Sequence, residues 1–304
     1  MTEPLVIAHR GASGHRPEHT AGAYRLAFRL GADSVELDLH ATRDGELVCL
    51  HDLELSRTTD VATRPELAHL RRSVEVGGKV HSGWFVHDLT LAELRTLRCR
   101  ERWPRMRPTS ASYDGRWPVP TLQDALDLVD GESARRGIPL RVHAELKHPA
   151  FLESVGLSLP DLVAPYLHPH LTWMSFDSVV LRRLALRGRR GLVLLHTDPP
   201  SGREIAAAAS YASGIGVRRA AVVGTDLVGR AHRRGLDVFA WTHRAENQHL
   251  PADLRVGDAD HAHGLAQRAA EQLYDAGVDA VITDFPETVA AARSSVWRGM
   301  PVAR

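Results

Sequence analysis

The chain has 304 residues, 43% of them hydrophobic and 25% charged, with a formal net charge of +1. That composition excludes a disordered chain, and the balance of 38 basic against 37 acidic residues excludes the strongly basic face of a nucleic-acid binder. Two cysteines, Cys49 and Cys99, are too few for a disulfide framework, and no apolar run approaches the roughly 20 residues of a membrane span.

Short aliphatic runs alternate with helical patterns along the chain. In order, the expected strands are Leu5 to Ala8, Ser34 to Leu39, Leu140 to Leu146, Leu171 to Phe176, Gly191 to His196, Ile215 to Val217, Leu236 to Trp241 and Val278 to Thr283. They lack strict polar alternation, which suits strands buried on both faces of a parallel sheet. Helices are expected over Thr20 to Leu30, Leu122 to Val129, Ser178 to Arg187 and Gly264 to Ala276. Thr121 fits an N-cap, and Gly31 and Gly277 fit C-terminal stops. Such strand–helix alternation predicts an α/β chain, a (β/α)8 TIM barrel, with an open doubly wound sheet as the competing arrangement.

Two stretches break this rhythm. Residues 53–118 are too long for an ordinary loop and carry Gly77, Gly78, Gly83, Pro104, Pro108 and Pro118. They read as a small insertion after the second strand, capping one end of the barrel, within one domain that spans residues 1–304. Thr242 to His263 follows a strand and would lie over the active face. Gly214-Ile-Gly216 lacks the third glycine and the helix start of a dinucleotide fingerprint. Arg182, Arg183, Arg187, Arg189 and Arg190 read as a solvated helix end, with an anionic lipid contact as the alternative. Met1 to Gly11 has no basic stretch followed by an apolar one, so the expected location is cytoplasmic, or outside the cell if a signal segment has been removed.

The candidate chemistry sits at strand ends. Glu36 and Asp38, two residues apart on one strand, share a face and repel each other unless something positive lies between them. A hard cation resolves that repulsion; two solvated strand-end acids are the alternative. Glu145 ends another aliphatic run and would add a third carboxylate, with Lys147 on the same face as a point charge for an anion. A plain Glu–Lys pair is the alternative there. His9 closes the first strand, and His51 closes the run Leu47 to Leu50, so both fit acid and base roles near neutrality. Arg10 can fork onto a phosphate, and Gly11 would let the backbone approach it. His15, His168, His170, His261 and His263 read as surface residues. Neither a G-x-S-x-G elbow nor a P-loop is present. The residues therefore point to cation-assisted acid–base displacement at a phosphate ester.

With these motifs the chain resembles the glycerophosphodiester phosphodiesterase family. The matching stretches are HRGASGHRPEHT at 9–20, VELDLHATRDGELVCLHD at 35–52, VPTL at 119–122, AELKHP at 144–149, SFD at 175–177, WT at 241–242 and GVDAVITDFP at 277–286. The resemblance implies a barrel with an insertion after the second strand. It also implies metal-dependent hydrolysis of glycerophosphodiesters, such as glycerophosphocholine or glycerophosphoethanolamine, to sn-glycerol 3-phosphate and an alcohol. By the same resemblance Glu36, Asp38 and Glu145 are the metal ligands, for Ca²⁺, Mg²⁺ or Mn²⁺. His9 and His51 are the acid/base pair, Arg10 and Lys147 contact the phosphate, and Trp241 is an aromatic wall. Where the family carries Asn, this chain has His19, which can keep one of that residue's hydrogen bonds. The loop at 243–263, with Glu246 and Asn247, is expected to shape the alcohol side of the pocket.

The expected partner is a small glycerophosphodiester, with no nucleic acid and no stable membrane insertion. No heptad or apolar stripe marks an oligomer. Two other functions share these residues: a lysophospholipase D-like enzyme acting on lipid headgroups, and a non-catalytic diester-binding barrel. Trp84, Phe85 and Trp103 could line an acyl channel for the former, but read first as the core of the insertion.

Overall fold

An aliphatic strand buried on both faces must satisfy its backbone sideways, through neighbouring strands. The computed structural model describes residues 3–298. Its strands in chain order are β1 (Leu5–His9), β2 (Ser34–Ala41), β3 (Leu47–Cys49), β4 (Arg72–Val76), β5 (Lys79–Gly83) and β6 (Arg141–Leu146). They continue as β7 (Leu171–Ser175), β8 (Leu192–Leu195), β9 (Gly214–Arg218), β10 (Asp237–His243) and β11 (Ala280–Thr283). β1, β2, β6, β7, β8, β9, β10 and β11 pair in parallel in that order, and β1 pairs with both β2 and β11. The sheet is therefore a closed eight-stranded barrel, which removes the open-sheet alternative. All eight expected strands belong to it.

Helices cover the outside, and their ends follow local chemistry. The Thr20 hydroxyl accepts from the Ala23 N–H to start the helix Ala21–Arg29. Thr121 and Asp124 form a reciprocal capping box at the start of Leu122–Arg136. That helix runs past the expected Val129, because its last turns are polar and carry no apolar period. It stops at Gly137, in the left-handed region at φ 67°.

Inside the barrel, Ile7, Met174, Val193, Leu195, Phe239 and Ile282 form a closed apolar plug. Gly216 belongs to this packing: a Cβ there would lie 2.3 Å from Leu195 Cδ2. The Gly-Ile-Gly run thus makes room for a neighbouring side chain in the barrel wall. β3 folds back antiparallel on β2, pairing Cys49 with Leu39. Residues 53–118 follow, carrying the β4–β5 hairpin and a separate apolar cluster that includes Leu55, Val61, Val86, Leu89 and Leu94.

The arginine-rich helix end is spent on local contacts. Arg183 pairs with Glu153 at 2.7 Å, Arg187 pairs with Asp161, and Arg189 donates to the carbonyls of Tyr166 and Val163. Among the described residues no helix is long and apolar enough to cross a membrane.

Candidate active site

The period-two geometry of β2 turns Glu36 and Asp38 to the same side of the strand. Its register with β6 then sets Asp38 opposite Glu145. All three carboxyl groups are buried, and each offers an oxygen within 4.8 Å of the others. Burial, then the Asp38 charge, push the Glu36 carboxyl well above the usual range, and burial raises Glu145 to about 7. Asp38 goes the other way, held well below its usual value despite its burial by Lys147, Arg10 and His51. Lys147 Nζ lies 2.8 Å from Glu145 Oε1 and 3.4 Å from Asp38 Oδ1. Three hard oxygen donors at this spacing fit a divalent cation.

Arg10 follows β1 with a backbone φ of 58°, a sparsely populated region for a residue with a Cβ. This turn points its N–H at Glu36 Oε2, 2.9 Å away, and brings its Nε within 3.0 Å of Asp38 Oδ2. His19, at φ 54°, places Nε2 3.0 Å from the same Asp38 oxygen and Nδ1 3.1 Å from the Tyr24 hydroxyl. The substituted position thus braces a carboxylate of the acidic cluster.

Each proposed acid/base histidine stands in front of an aspartate. His9 Nδ1 is 2.6 Å from Asp284 Oδ1, and His51 Nδ1 is 2.6 Å from Asp52 Oδ1. Both aspartates sit below their usual pKa, each favoured in its ionised form by arginine and by its histidine. An ionised carboxylate only accepts, so each Nδ1 carries the proton and each Nε2 is left for other partners. Burial lowers His9 to about 3 and His51 to about 4, so both are neutral at pH 7. A phosphate anion arriving between them would favour the protonated form of one.

His51 is not at a barrel-strand end. It arrives two residues after β3, by the antiparallel return from β2.

Two arginines from residues 53–118 hold the aspartates from behind. Arg102 Nη1 donates to Asp52 Oδ2 at 2.7 Å while its other nitrogens grip Glu18, also at 2.7 Å. Glu18 in turn accepts from Arg10 at 3.2 Å. Arg107 donates to Asp284 at 2.6 Å, to Glu246 at 2.7 Å and to the Ser13 carbonyl at 3.0 Å. Sequence reasoning missed both arginines; the only local signal was a basic run inside a proline-rich stretch.

A cavity of about 720 Å³ joins these groups, lined by His9, Arg10, Glu36, His51, Glu145 and Lys147 on one side. Trp241, Phe176, Arg218, Arg219 and Arg244 line it further round. All eight candidate residues except the buried Asp38 thus border one cavity, and Asp38 lies directly behind it. Phe176 meets Trp241 edge-on, with ring centroids 5.5 Å apart.

Two expectations need correction. Trp103 borders the cavity, its indole beside Arg107 and Arg244, while Trp84 packs among residues 53–118 and the buried Phe85 packs with Leu53, Val74 and Phe151 beside a second groove. From the 243–263 loop, Arg244, Gln248 and His249 reach the cavity. Glu246 is buried against Arg107 instead, and Asn247 donates to loop carbonyls such as Val256 O at 2.8 Å. Gly11 is in addition required by packing: at φ 82°, a Cβ would meet the Ala23 backbone at 2.7 Å.

Comparison with known proteins agrees with this geometry. A model of the Glycerophosphoryl diester phosphodiesterase family matches residues 9–288. The glycerophosphodiester phosphodiesterase GDPD6 of Arabidopsis thaliana is 29% identical, over 93% of this chain and 84% of its own length. The probable glycerophosphodiester phosphodiesterase 1 of Mycobacterium tuberculosis is 32% identical, over 78% of this chain and 81% of its own. Among solved structures, an Oleispira antarctica phosphodiesterase in complex with the product sn-glycerol-3-phosphate superposes with a TM-score of 0.67 at 25% identity, covering 96% of this chain and 97% of that one. A family match over nearly the whole chain, on a closed barrel, makes this protein an enzyme of the glycerophosphoryl diester phosphodiesterase family.

Proposed function

We propose that the chain hydrolyses glycerophosphodiesters, such as glycerophosphocholine or glycerophosphoethanolamine, to sn-glycerol 3-phosphate and the free alcohol. The observation that carries this reading is the pair of aspartate-backed histidines bordering one cavity with a buried three-carboxylate cluster. Arg10 and Lys147 supply the positive contacts for the phosphate, and Trp241 supplies an apolar wall for one organic arm. One imidazole takes the proton from the attacking hydroxyl of the glycerol, and the other gives a proton to the departing alcohol oxygen. Water then opens the resulting cyclic phosphate with the two roles reversed. A divalent cation held by Glu36, Asp38 and Glu145 would neutralise charge on the phosphoryl oxygens. We treat residues 1–304 as a single barrel domain in which 53–118 is an insertion that lends Arg102 and Arg107 to the site.

The test is choline release from glycerophosphocholine. His9→Ala and His51→Ala should each lower kcat by roughly 10²–10⁴-fold, the usual worth of a positioned acid or base. Chelation should abolish turnover, and Mg²⁺, Ca²⁺ or Mn²⁺ should restore it. Near-wild-type turnover in either variant removes the acid/base assignment, whereas tight diester binding without product favours a binding protein.

A second reading is supported by a groove of about 800 Å³ beside the cavity. It shares His51 and Lys147 with the cavity and is lined by Leu53, Val76, Phe85 and Phe151. An acyl chain of a lysophospholipid would suit those side chains. Turnover of lysophosphatidylcholine above that of glycerophosphocholine would favour it.

A further inference from the structure

Resting on the phosphodiesterase reading above, we propose that the site selects diesters whose departing alcohol carries a second phosphate. The cavity has two walls of opposite character. On the β2 and β6 side lie Glu36, Asp38 and Glu145, and the cations there, Arg10 and Lys147, are engaged with them. At the carboxyl ends of β9 and β10 lie Arg218, Arg219 and Arg244. Among the described residues, neither Arg218 nor Arg219 has a carboxylate oxygen within 4.0 Å. Arg244 does reach Asp284 at 2.9 Å, but the same carboxylate already serves Arg107 and His9.

Arg219 turns its guanidinium to the outside of the barrel, onto the Gln272 side-chain oxygen of the helix Ala266–Asp275, so among the described residues the free cation of this wall is Arg218. A guanidinium that borders a cavity and lacks an acid partner is completed by an anion. Arg218, which is exposed, stacks over the Trp241 ring at 5.4 Å. That ring face is therefore covered by a cation already and is not open to a choline ammonium.

The scissile phosphate belongs across the cavity, beside Arg10 and Lys147. Glycerol carries no charge, so a second anion on the substrate can only lie on the alcohol side. Choline or ethanolamine there would meet like charge. A phosphate there would meet the Arg218 guanidinium, whose donors have no protein partner among the described residues, with Arg244 beside it.

Three diesters isolate the charge of the leaving alcohol while releasing the same sn-glycerol 3-phosphate. Glycerophosphocholine has a cationic alcohol, glycerophosphoglycerol a neutral one, and bis(glycerophospho)glycerol an anionic one. In wild-type protein kcat/KM should rise along that series, with about tenfold or more between its ends, and the spread should shrink in high salt as exposed charges are screened. Arg218→Glu should compress or invert the order; Arg218→Gln, milder at this exposed position, should compress it. Equal kcat/KM for the three diesters, a preference for the choline diester, or an unchanged order in Arg218→Glu overturns the selectivity alone. Turnover of none of the three overturns the phosphodiesterase reading and the selectivity with it.

Discussion

The two imidazoles proposed as acid and base depend on two guanidiniums borrowed from another part of the chain. Arg102 and Arg107 are both nearly inaccessible, and each bridges the aspartate behind one histidine to a second carboxylate. A planar fork with five donors on three nitrogens can do this; the lysine ammonium has its three donors on one nitrogen and cannot span carboxylates set around such a fork. Arg107→Lys is therefore expected to lower kcat by more than it raises KM, because the defect acts through Asp284 on His9 and leaves the phosphate contacts in place. Arg107→Ala should also cost about 3–5 kcal/mol of stability, since it strands buried carboxylates without their cation. Steady-state kinetics with urea unfolding checks both, and a raised KM with unchanged kcat would contradict the positioning role. These links were not legible in the sequence. Arg102 finds Glu18 across 84 residues and Arg107 finds Asp284 across 177, and neither distance leaves a local pattern. Glu36, Asp38, Glu145 and Lys147 were legible, because period two on a strand is a local rule.

At the scale of elements, the junction between β1 and the helix Ala21–Arg29 does the most positioning. In the turn after His9, Arg10 and Gly11 both take positive φ, and His19 does so again just before the Thr20 cap. The sequence marked this turn by its glycine but did not reveal the packing that requires it. The neighbour that excludes a side chain is the helix backbone at Ala23, a tertiary contact that motif reading cannot see. Gly11→Ala combines overpacking, about 1–3 kcal/mol, with a left-handed backbone penalty of about 1–2 kcal/mol. The expected outcome is a fall in stability of about 3 kcal/mol, read as a lower urea midpoint at unchanged slope. Activity should fall with it, because the turn also aims the Arg10 N–H at Glu36. A variant as stable as wild type would mean that the helix moves aside at little cost. The barrel strands were predictable for the opposite reason. Their aliphatic runs need only be buried on both faces, a condition the composition of each run already meets.

For the whole molecule, a net charge of +1 conceals a strong internal separation of charge. Buried carboxylates are matched to buried arginines across the barrel mouth, and that matching makes stability depend on pH. Arginine contacts hold the carboxyls of Asp284 and Glu18 well below their ordinary values of 3.8 and 4.5, overcoming the effect of burial. A depressed folded pKa means that the unfolded chain binds the proton first. The stabilisation is thus complete above about pH 5 and drains away as pH falls through the ordinary values toward the folded ones. Glu101 works in the opposite sense, since burial raises it to about 7, so its protonation between pH 7 and 4.5 favours the folded form. The two effects occupy different windows. Burial also holds His9, His40 and His143 near 3 and His51 near 4, so the unfolded chain protonates them first and stability already falls below about pH 6.5. Melting temperature should therefore decline from about pH 6.5, with Glu101 offsetting part of the loss, and drop more steeply below about 4.5, where the carboxylates held by arginine add theirs. Arg107→Gln removes one of the cations that hold Asp284 down, and should flatten that acid limb relative to wild type. Calorimetry from pH 7 to 3.5 on both proteins measures this, and acid limbs of equal steepness would show that the Arg107–Asp284 pair does not set the acid sensitivity of the barrel.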